Sequence, residues 1–183
     1  MEALCPIDRG TLDGQGACVP DICDREINNI LAYIYHGKDA RITLILDCCF
    51  AGGITEALLN GDVRTAHSLP PGSFVRMLNS AKERTEDWHG YRDVWCAEKW
   101  THENMNPYTV LGACEDYQFA RECEDGGGYS GVFTRALVKA LTSSPLQKEA
   151  TYYNLIHLLT ALLRRNIQHP MLAGDRVRER LWL

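Results

Sequence analysis

Two adjacent cysteines follow an aspartate in the segment ITLILDCCFAGG, which begins at Ile42. The five residues before the aspartate are aliphatic or β-branched, and this composition predicts a short strand buried on both faces, as in a parallel sheet. The glycine pair permits a tight turn into sequence with the composition of a helix start. Cys48 and Cys49 are therefore predicted to lie where a strand passes into a helix, which is where open α/β sheets gather ligands and chemistry.

A cysteine in such a place can be a nucleophile, because the amides of a helix N-terminus stabilise the thiolate and lower the pKa of the thiol. The alternative is that Cys48 and Cys49 fill space as small apolar side chains. Neither cysteine continues the packing pattern of the strand, since Asp47 separates them from it and a Phe-Ala-Gly-Gly turn follows. This context favours the chemical role.

Composition excludes several classes of function. With 183 residues, 45% of them hydrophobic, the chain can build one ordinary domain with a core. The net charge of −5 and the lack of a long basic run give no support for binding to nucleic acid or an anionic membrane. The N-terminus has no signal-peptide pattern, and no apolar run approaches a membrane span, so we expect a soluble, cytoplasmic protein. Reduced thiols are expected there, and Cys18 and Cys23 lack the partners of a zinc site.

Hydrophobic periodicity and turn residues order the rest of the chain. A helix is predicted around Ile27–Gly37, after a loop rich in Gly, Asp and Pro. Two helices with apolar stripes are also predicted later in the chain. The first stripe consists of Val132, Phe133, Ala136, Leu137, Ala140 and Leu141, and the second of Leu155, Leu158, Leu159, Leu162 and Leu163. The predicted elements in chain order are a loop over 1–20, that helix, a strand over 42–46, a partly helical insertion at about 60–107, a strand over 108–114, helices over 132–141 and 151–165, and a short strand within 177–183.

The segment LILDCCFAGG resembles the nucleophile segment of the metacaspases and the wider caspase-like peptidase family. YTVLGACEDYQFARE and GGYSGVFTRALVKAL are similar to the next strand, substrate loop and helix of fungal members, and QHPMLAGDRVRERLW to their C-terminal end. The resemblance covers nearly all of residues 1–183, taken as one incomplete peptidase domain with an insertion at about 60–107. It implies an α/β fold, a caspase-like three-layer α/β/α sandwich on a mainly parallel sheet whose N-terminal strands are missing.

The resemblance also implies roles for particular residues. Cys49 matches the nucleophile of a cysteine endopeptidase that acts on a protein or peptide substrate. Asp47, with Cys48 beside it, matches the acidic pocket that receives Arg or Lys on the amino side of the scissile bond. From the bare sequence, Asp47 is equally suited to capping a turn. Asp24 falls on a position that binds calcium in the family, although Arg25 occupies a neighbouring position that is commonly acidic.

The chain departs from the family in its general base. The histidine of the catalytic dyad belongs to a Y-x-G-H-G segment roughly fifty residues before the cysteine, as caspase spacing also indicates. His36-Gly37 lies at the end of a predicted helix, and His89-Gly90 lies in the insertion, so neither is expected to be the base. Phe50 and Ala51 also replace the usual His-Ser. The endopeptidase is therefore expected to be weak or inactive as the chain stands, and a non-catalytic caspase-homology interaction module is the alternative.

The segment that would carry this histidine also supplies the first strands of the family's sheet. Without them, the strand over 42–46 would expose an unpaired apolar edge. We expect the chain to be the C-terminal part of a longer protein or gene model; a partner chain on the open edge is the other explanation. A thiol switch at Cys48–Cys49 is a weaker hypothesis, because adjacent cysteines bridge only with strain.

Overall fold

The structure is a computed structural model that describes residues 3–38, 40–49, 71–87, 108–115, 118–124, 126–142, 146, 149–164 and 168–181. These residues form a mixed α/β arrangement of helices and small sheets. They belong to two compact units, one within Met1–Ala40 and Ala66–Thr101, the other within Arg41–Thr65 and His102–Leu183. Each unit is described by itself below.

The first unit pairs two short strands with two helices. Strand β1 (Ala3–Leu4) is antiparallel to β2 (Ile22–Cys23), and helix α1 (Asp24–Lys38) follows β2 directly. Helix α2 (Ser73–Thr85) lies within residues 60–107, the segment for which partly helical structure was predicted. Met77 and Ala81 of α2 pack with Cys23 in a small buried cluster.

Two ion pairs hold the first unit together. Arg9 Nε lies 2.8 Å from Asp21 Oδ1, and the Asp21 side chain is 1% exposed. Arg84 Nε lies 2.7 Å from Glu26 Oε1, and a second guanidinium nitrogen donates to Oε2 at 2.8 Å. Because buried carboxylates need partners, these arginines are what permits Asp21 and Glu26 to be enclosed.

The second unit contains the remaining elements. Its sheet strands are β3 (Ile42–Leu46), β4 (Tyr108–Gly112) and β7 (Met171–Ala173). A hairpin joins β5 (Glu122–Glu124) to β6 (Tyr129–Gly131). Two helices, α3 (Val132–Thr142) and α4 (Tyr152–Leu163), complete it.

The sheet of the second unit has the order β3-β4-β7, with β4 in the centre. β3 and β4 are parallel in the register Ile42↔Tyr108 to Leu46↔Gly112, whereas β4 and β7 are antiparallel. All five residues of β4 are buried, while Ile45 of β3 is 41% exposed. Within the described residues, β3 pairs on one side only and is an edge strand.

Helices α3 and α4 pack on this sheet through the apolar stripes that the sequence predicts. Buried Leu111 of β4 meets both helices in one core. From α3 that core takes Phe133, Ala136, Leu137 and Ala140, and from α4 it takes Tyr152, Leu155, Leu159 and Leu163. Leu141, predicted to lie on the stripe of α3, is instead 41% exposed, because it lies one position past the last buried turn.

The predicted strands over 42–46 and 108–114 are confirmed, the second ending at Gly112. The predicted last strand within 177–183 is wrong for the residues described there. The strand lies at Met171–Ala173 instead, and Gly174, with φ of 112°, turns the chain where an added Cβ would collide with the Tyr108 carbonyl. Arg180 contributes a single bridge to Thr151.

The seven cysteines in the described part of the chain form no disulfide with one another. None of the helices there combines the length and the apolar character needed to cross a membrane. The predicted helix start at residues 54–59, the glycine pair before it and Phe50 lie outside the described residues.

Candidate functional site

The predicted cysteine site lies at the carboxyl ends of β3 and β4. Leu46 pairs with Gly112, and Gly112 pairs with Met171, so these three residues form one row across the sheet. The Ala113 N–H donates to the Leu46 carbonyl at 2.9 Å and carries the pairing one step further. The residues after β3, the residues after β4 and the residues before β7 therefore all leave the sheet at the same edge.

Cys49 is half-buried at this edge, against the backbone of Ala120. The Ala120 N–H donates to Cys49 Sγ at 3.2 Å, and Cys49 Sγ lies 3.6 Å from the Ala120 carbonyl oxygen. The thiol can thus donate to the carbonyl, and a thiolate would accept from the amide. The backbone of Ala120 can therefore form a hydrogen bond with either protonation state of the Cys49 sulfur.

Three effects act on the pKa of the Cys49 thiol. Burial raises the pKa, the Ala120 amide lowers it, and the Asp47 carboxylate raises it; the net shift is upward from 9.0. A thiol with a raised pKa is almost entirely protonated at neutral pH, and the thiolate is the nucleophilic form. Cys49 therefore needs a base, or a change in its surroundings, to react quickly.

Cys48 has the opposite exposure to its neighbour. Its side chain is exposed, and its carbonyl oxygen lies 3.9 Å from Sγ of Cys114, a fully buried cysteine on the segment after β4. Of the two adjacent cysteines, Cys48 is therefore exposed to solvent and Cys49 is half-buried.

Asp47 caps helix α3 from a distance of 87 residues along the chain. Its Oδ2 accepts the Thr134 N–H at 3.0 Å and also the Thr134 hydroxyl. The first turn of α3 has no acidic residue of its own, so Asp47 supplies the negative charge that helix N-termini favour. The sequence suggested that Asp47 could cap the turn that follows it; among the described residues, the helix that it caps is α3.

Gly131 makes this long-range cap sterically possible. A Cβ built on Gly131 would collide with the Asp47 carboxylate and would lie 2.6 Å from its Cγ. A side chain at residue 131 would displace Asp47 from the helix terminus. The glycine before α3 and the aspartate after β3 therefore act as a pair.

Two consecutive residues before β7 hold the backbone that contacts Cys49. Gln168 is 1% exposed; its Nε2 donates to the Ala113 carbonyl at 2.8 Å and its Oε1 accepts the Arg121 N–H at 3.1 Å. The His169 N–H donates to Gln118 Oε1 at 2.9 Å, and His169 Nδ1 lies 2.7 Å from Gln118 Nε2. Residues 118–121, here named the clasp segment, are thus bonded through the Gln118 side chain at one end and through the Arg121 N–H at the other.

Sequence analysis missed this role of Gln168 and His169. His169 is exposed, but both its backbone and its ring bind Gln118. No periodic or spacing signal points to a glutamine that bonds residues 47 and 55 positions away. The signal that was present is the placement of two polar residues directly before Pro170 and an apolar strand.

The histidines do not complete a dyad in the part of the chain that the structure describes. There, no imidazole is hydrogen-bonded to Cys49 Sγ. His36 is a residue of α1 near its C-terminal end, as predicted, and His157 packs edge-on against Tyr153 with ring centroids 4.3 Å apart. His89-Gly90 lies outside the described residues.

In the described part of the chain, the carboxylates nearest to Asp24 along the sequence already have cationic partners. Asp24 begins α1, and the nearest carboxylates along the chain, Asp21 and Glu26, are already neutralised by Arg9 and Arg84. Calcium requires six to eight oxygen ligands. The described residues contain no group of three or more His, Cys, Asp or Glu side chains that could hold a metal.

Comparison with known proteins adds no family assignment: no protein-family model matches the chain, and no curated protein matches it. The interpretation of the site therefore depends on its own geometry and on the sequence motif.

Proposed function

We propose that this chain is a cysteine endopeptidase domain of caspase type, cleaving after Arg or Lys, with Cys49 as the nucleophile. The proposal includes a caspase-like α/β/α sandwich for the second unit. The observation that carries it is the placement of Asp47 and Cys49 together at the carboxyl edge of a sheet, with Cys49 Sγ against the clasp segment. This is the edge at which open α/β sheets place their chemistry.

In the proposed reaction the Cys49 thiolate attacks the carbonyl carbon of the scissile bond. The C–N bond then breaks, the amine leaves with a proton taken from solvent, and water hydrolyses the resulting thioester. The Ala120 N–H, which lies 3.2 Å from the sulfur, favours the thiolate from which the attack starts.

Asp47 is the proposed contact for the basic side chain of the substrate. Both hydrogen bonds from Thr134 go to Oδ2, so Oδ1 is the oxygen through which Asp47 would bind a guanidinium or ammonium group. Cys48, exposed beside it, would line the same subsite. Because the carboxylate also caps α3, substrate binding and helix stability are expected to share one residue.

Activity is expected to be weak. The pKa of Cys49 is raised by burial, and no imidazole in the described residues bonds its sulfur. Loss of acid–base assistance costs a factor of roughly 100 to 10,000 in rate. Slow turnover that rises with pH is therefore the expected behaviour of this chain.

The test is hydrolysis of fluorogenic peptides that end in Arg, Lys or Asp, with and without calcium. We expect slow release after Arg and Lys but not after Asp, and loss of that release in Cys49→Ala. Cys18→Ala is the matched control, because it removes a half-buried thiol in the other unit. Hydrolysis that survives Cys49→Ala would refute the proposal.

The alternative, a non-catalytic interaction module, is favoured by one observation. Ile45 is 41% exposed on β3, which pairs on one side only within the described residues. An apolar edge strand is a template for pairing with another chain. Absence of turnover from folded protein, together with self-association that Ile45→Lys abolishes in sedimentation experiments, would favour this alternative.

A further inference from the structure

Gln168 is the most deeply buried polar side chain near the candidate site. Its amide oxygen and amide nitrogen are both satisfied, by the Arg121 N–H and the Ala113 carbonyl. A buried amide is stable only when both ends are bonded, and each bond here goes to backbone rather than to a mobile side chain. Gln168 therefore connects the residue after β4 to the clasp segment through two hydrogen bonds to backbone.

The clasp segment connects Gln168 to Cys49 through two neighbouring residues. Arg121, whose N–H binds Gln168, directly follows Ala120, whose N–H donates to Cys49 Sγ at 3.2 Å. The Arg121 carbonyl is held in turn by the Val132 N–H at 2.9 Å. The backbone between these anchors has little freedom, so displacing residue 121 displaces the amide that faces the sulfur.

We propose that Gln168 is a positioning residue of the Cys49 site, holding the Ala120 amide against the sulfur and so setting the reactivity of the thiol. Its importance for peptide cleavage rests on the proposed function, whereas its effect on the thiol does not. Within the described residues, Asp47 is the charged group that affects the pKa of Cys49. Asp47 follows β3, whereas the two Gln168 bonds go to the residue after β4 and to the clasp segment.

Gln168→Met is the variant that tests the proposal, because methionine keeps the length and volume of the side chain but removes both hydrogen bonds. Two quantities are measured on the full chain: hydrogen exchange of the Ala120 and Arg121 amides, and alkylation of Cys49 by iodoacetamide, resolved from the other cysteines by mass spectrometry. The matched control is Gln15→Met, which makes the same change at an exposed glutamine.

We expect both amides to exchange faster in Gln168→Met. Since the Ala120 amide lowers the pKa of Cys49, its loss raises that pKa, and alkylation at pH 7.5 should slow about three- to tenfold. The alkylation profile should move to higher pH, which a purely structural role of Gln168 would not cause. Gln15→Met should match the unchanged chain in every measurement.

The opposite outcome would overturn the proposal. Faster alkylation with a profile at lower pH would show that the clasp segment covers the thiol instead of stabilising its thiolate. Unchanged hydrogen exchange of the Ala120 amide in a folded Gln168→Met would show that the Gln168 bonds do not position this amide against Cys49.

Gln168→Glu provides a second test in case Gln168→Met does not fold. A protonated glutamic acid keeps an acceptor for the Arg121 N–H and a donor for the Ala113 carbonyl, and burial favours the protonated form. At pH 5 this variant should retain the slow Ala120 exchange of the unchanged chain, and loss of that protection in folded protein would count against the proposal.

These measurements separate the two proposals. If peptide hydrolysis is absent but Gln168→Met deprotects Ala120 and slows the alkylation of Cys49, the positioning role stands and the peptidase proposal fails. If hydrolysis depends on Cys49 but Gln168→Met leaves Cys49 alkylation unchanged, the peptidase proposal stands and the positioning role fails.

Discussion

The two helices that build the core of the second unit begin in different ways. At the start of α4, Thr151 and Asn154 form a reciprocal capping box: Asn154 N–H donates to Thr151 Oγ1 at 3.3 Å and Thr151 N–H donates to Asn154 Oδ1 at 2.9 Å. At the start of α3, the Thr134 N–H is capped by Asp47, 87 residues earlier. One cap is local in sequence, and the other depends on the folded sheet.

The N-termini of α3 and α4 also differ in the number of hydrogen bonds that the described residues provide. Besides its capping box, α4 has backbone bonds from the C-terminal segment: the Tyr152 N–H donates to the Glu179 carbonyl and the Tyr153 N–H to the Val177 carbonyl. At α3, the Val132 N–H binds the Arg121 carbonyl and Asp47 provides the side-chain cap. Loss of one partner should therefore matter more at α3, which also ties the stability of this helix to a residue of the candidate site.

The largest expected effect comes from Asp47→Ala. It removes both bonds to Thr134 and the negative charge at the helix N-terminus, and should cost about 1 to 2 kcal/mol in the free energy of unfolding. Urea denaturation followed by circular dichroism measures this cost, and hydrogen exchange of the Thr134 amide localises it to α3. Asp175→Ala, at an exposed carboxylate of the same unit, is the control and should be neutral.

Gly131→Ala checks that the cost of Asp47→Ala arises at the cap. The added Cβ would displace the Asp47 carboxylate, so Gly131→Ala and Asp47→Ala should be strongly non-additive in a double-mutant cycle. Additive effects would show that Asp47 contributes to stability elsewhere.

A smaller effect is expected for Thr151→Ala. It removes the side-chain half of the capping box at α4 but leaves the backbone bonds from the C-terminal segment, so the cost should be about 1 kcal/mol or less. The same denaturation experiment measures it, with Thr151→Ser as the conservative control that keeps the hydroxyl. A cost larger than that of Asp47→Ala would reverse the proposed difference between the two helix starts.

The same contrast explains which features sequence analysis could predict. The apolar runs of β3 and β4 and the stripes of α3 and α4 are local patterns, because strand and helix periodicity are properties of a few neighbouring residues. They were predicted, with errors at Leu141 and at the last strand, which lies at Met171–Ala173 because it pairs with β4 there. Pairing of that kind depends on the fold, not on the apolarity of the tail.

The contacts of the candidate site also depend on the fold and not on local sequence patterns. That Cys49 and Asp47 follow a buried strand could be predicted, but the bonds from Asp47 to Thr134 and from Gln168 to Arg121 could not. Each joins residues far apart in the chain and has no periodic signature. The different exposures of Cys48 and Cys49 could not be predicted either, since Cys49 Sγ is bonded by Ala120, which lies 71 residues away in the chain.

The smallest expected effect separates the two roles of Asp47. Asp47→Asn keeps an oxygen that can accept the Thr134 N–H, and asparagine is as good a helix cap as aspartate, so stability should change little. It removes the negative charge that raises the pKa of Cys49, so that pKa should fall. At pH 7.5, below the pKa, a larger thiolate fraction should speed the alkylation of Cys49 by about twofold, because charges near solvent interact weakly. Slower alkylation would show that the Asp47 charge does not raise the pKa of Cys49. Destabilisation equal to that of Asp47→Ala would show that the α3 terminus needs the carboxylate charge and that a neutral cap cannot replace it.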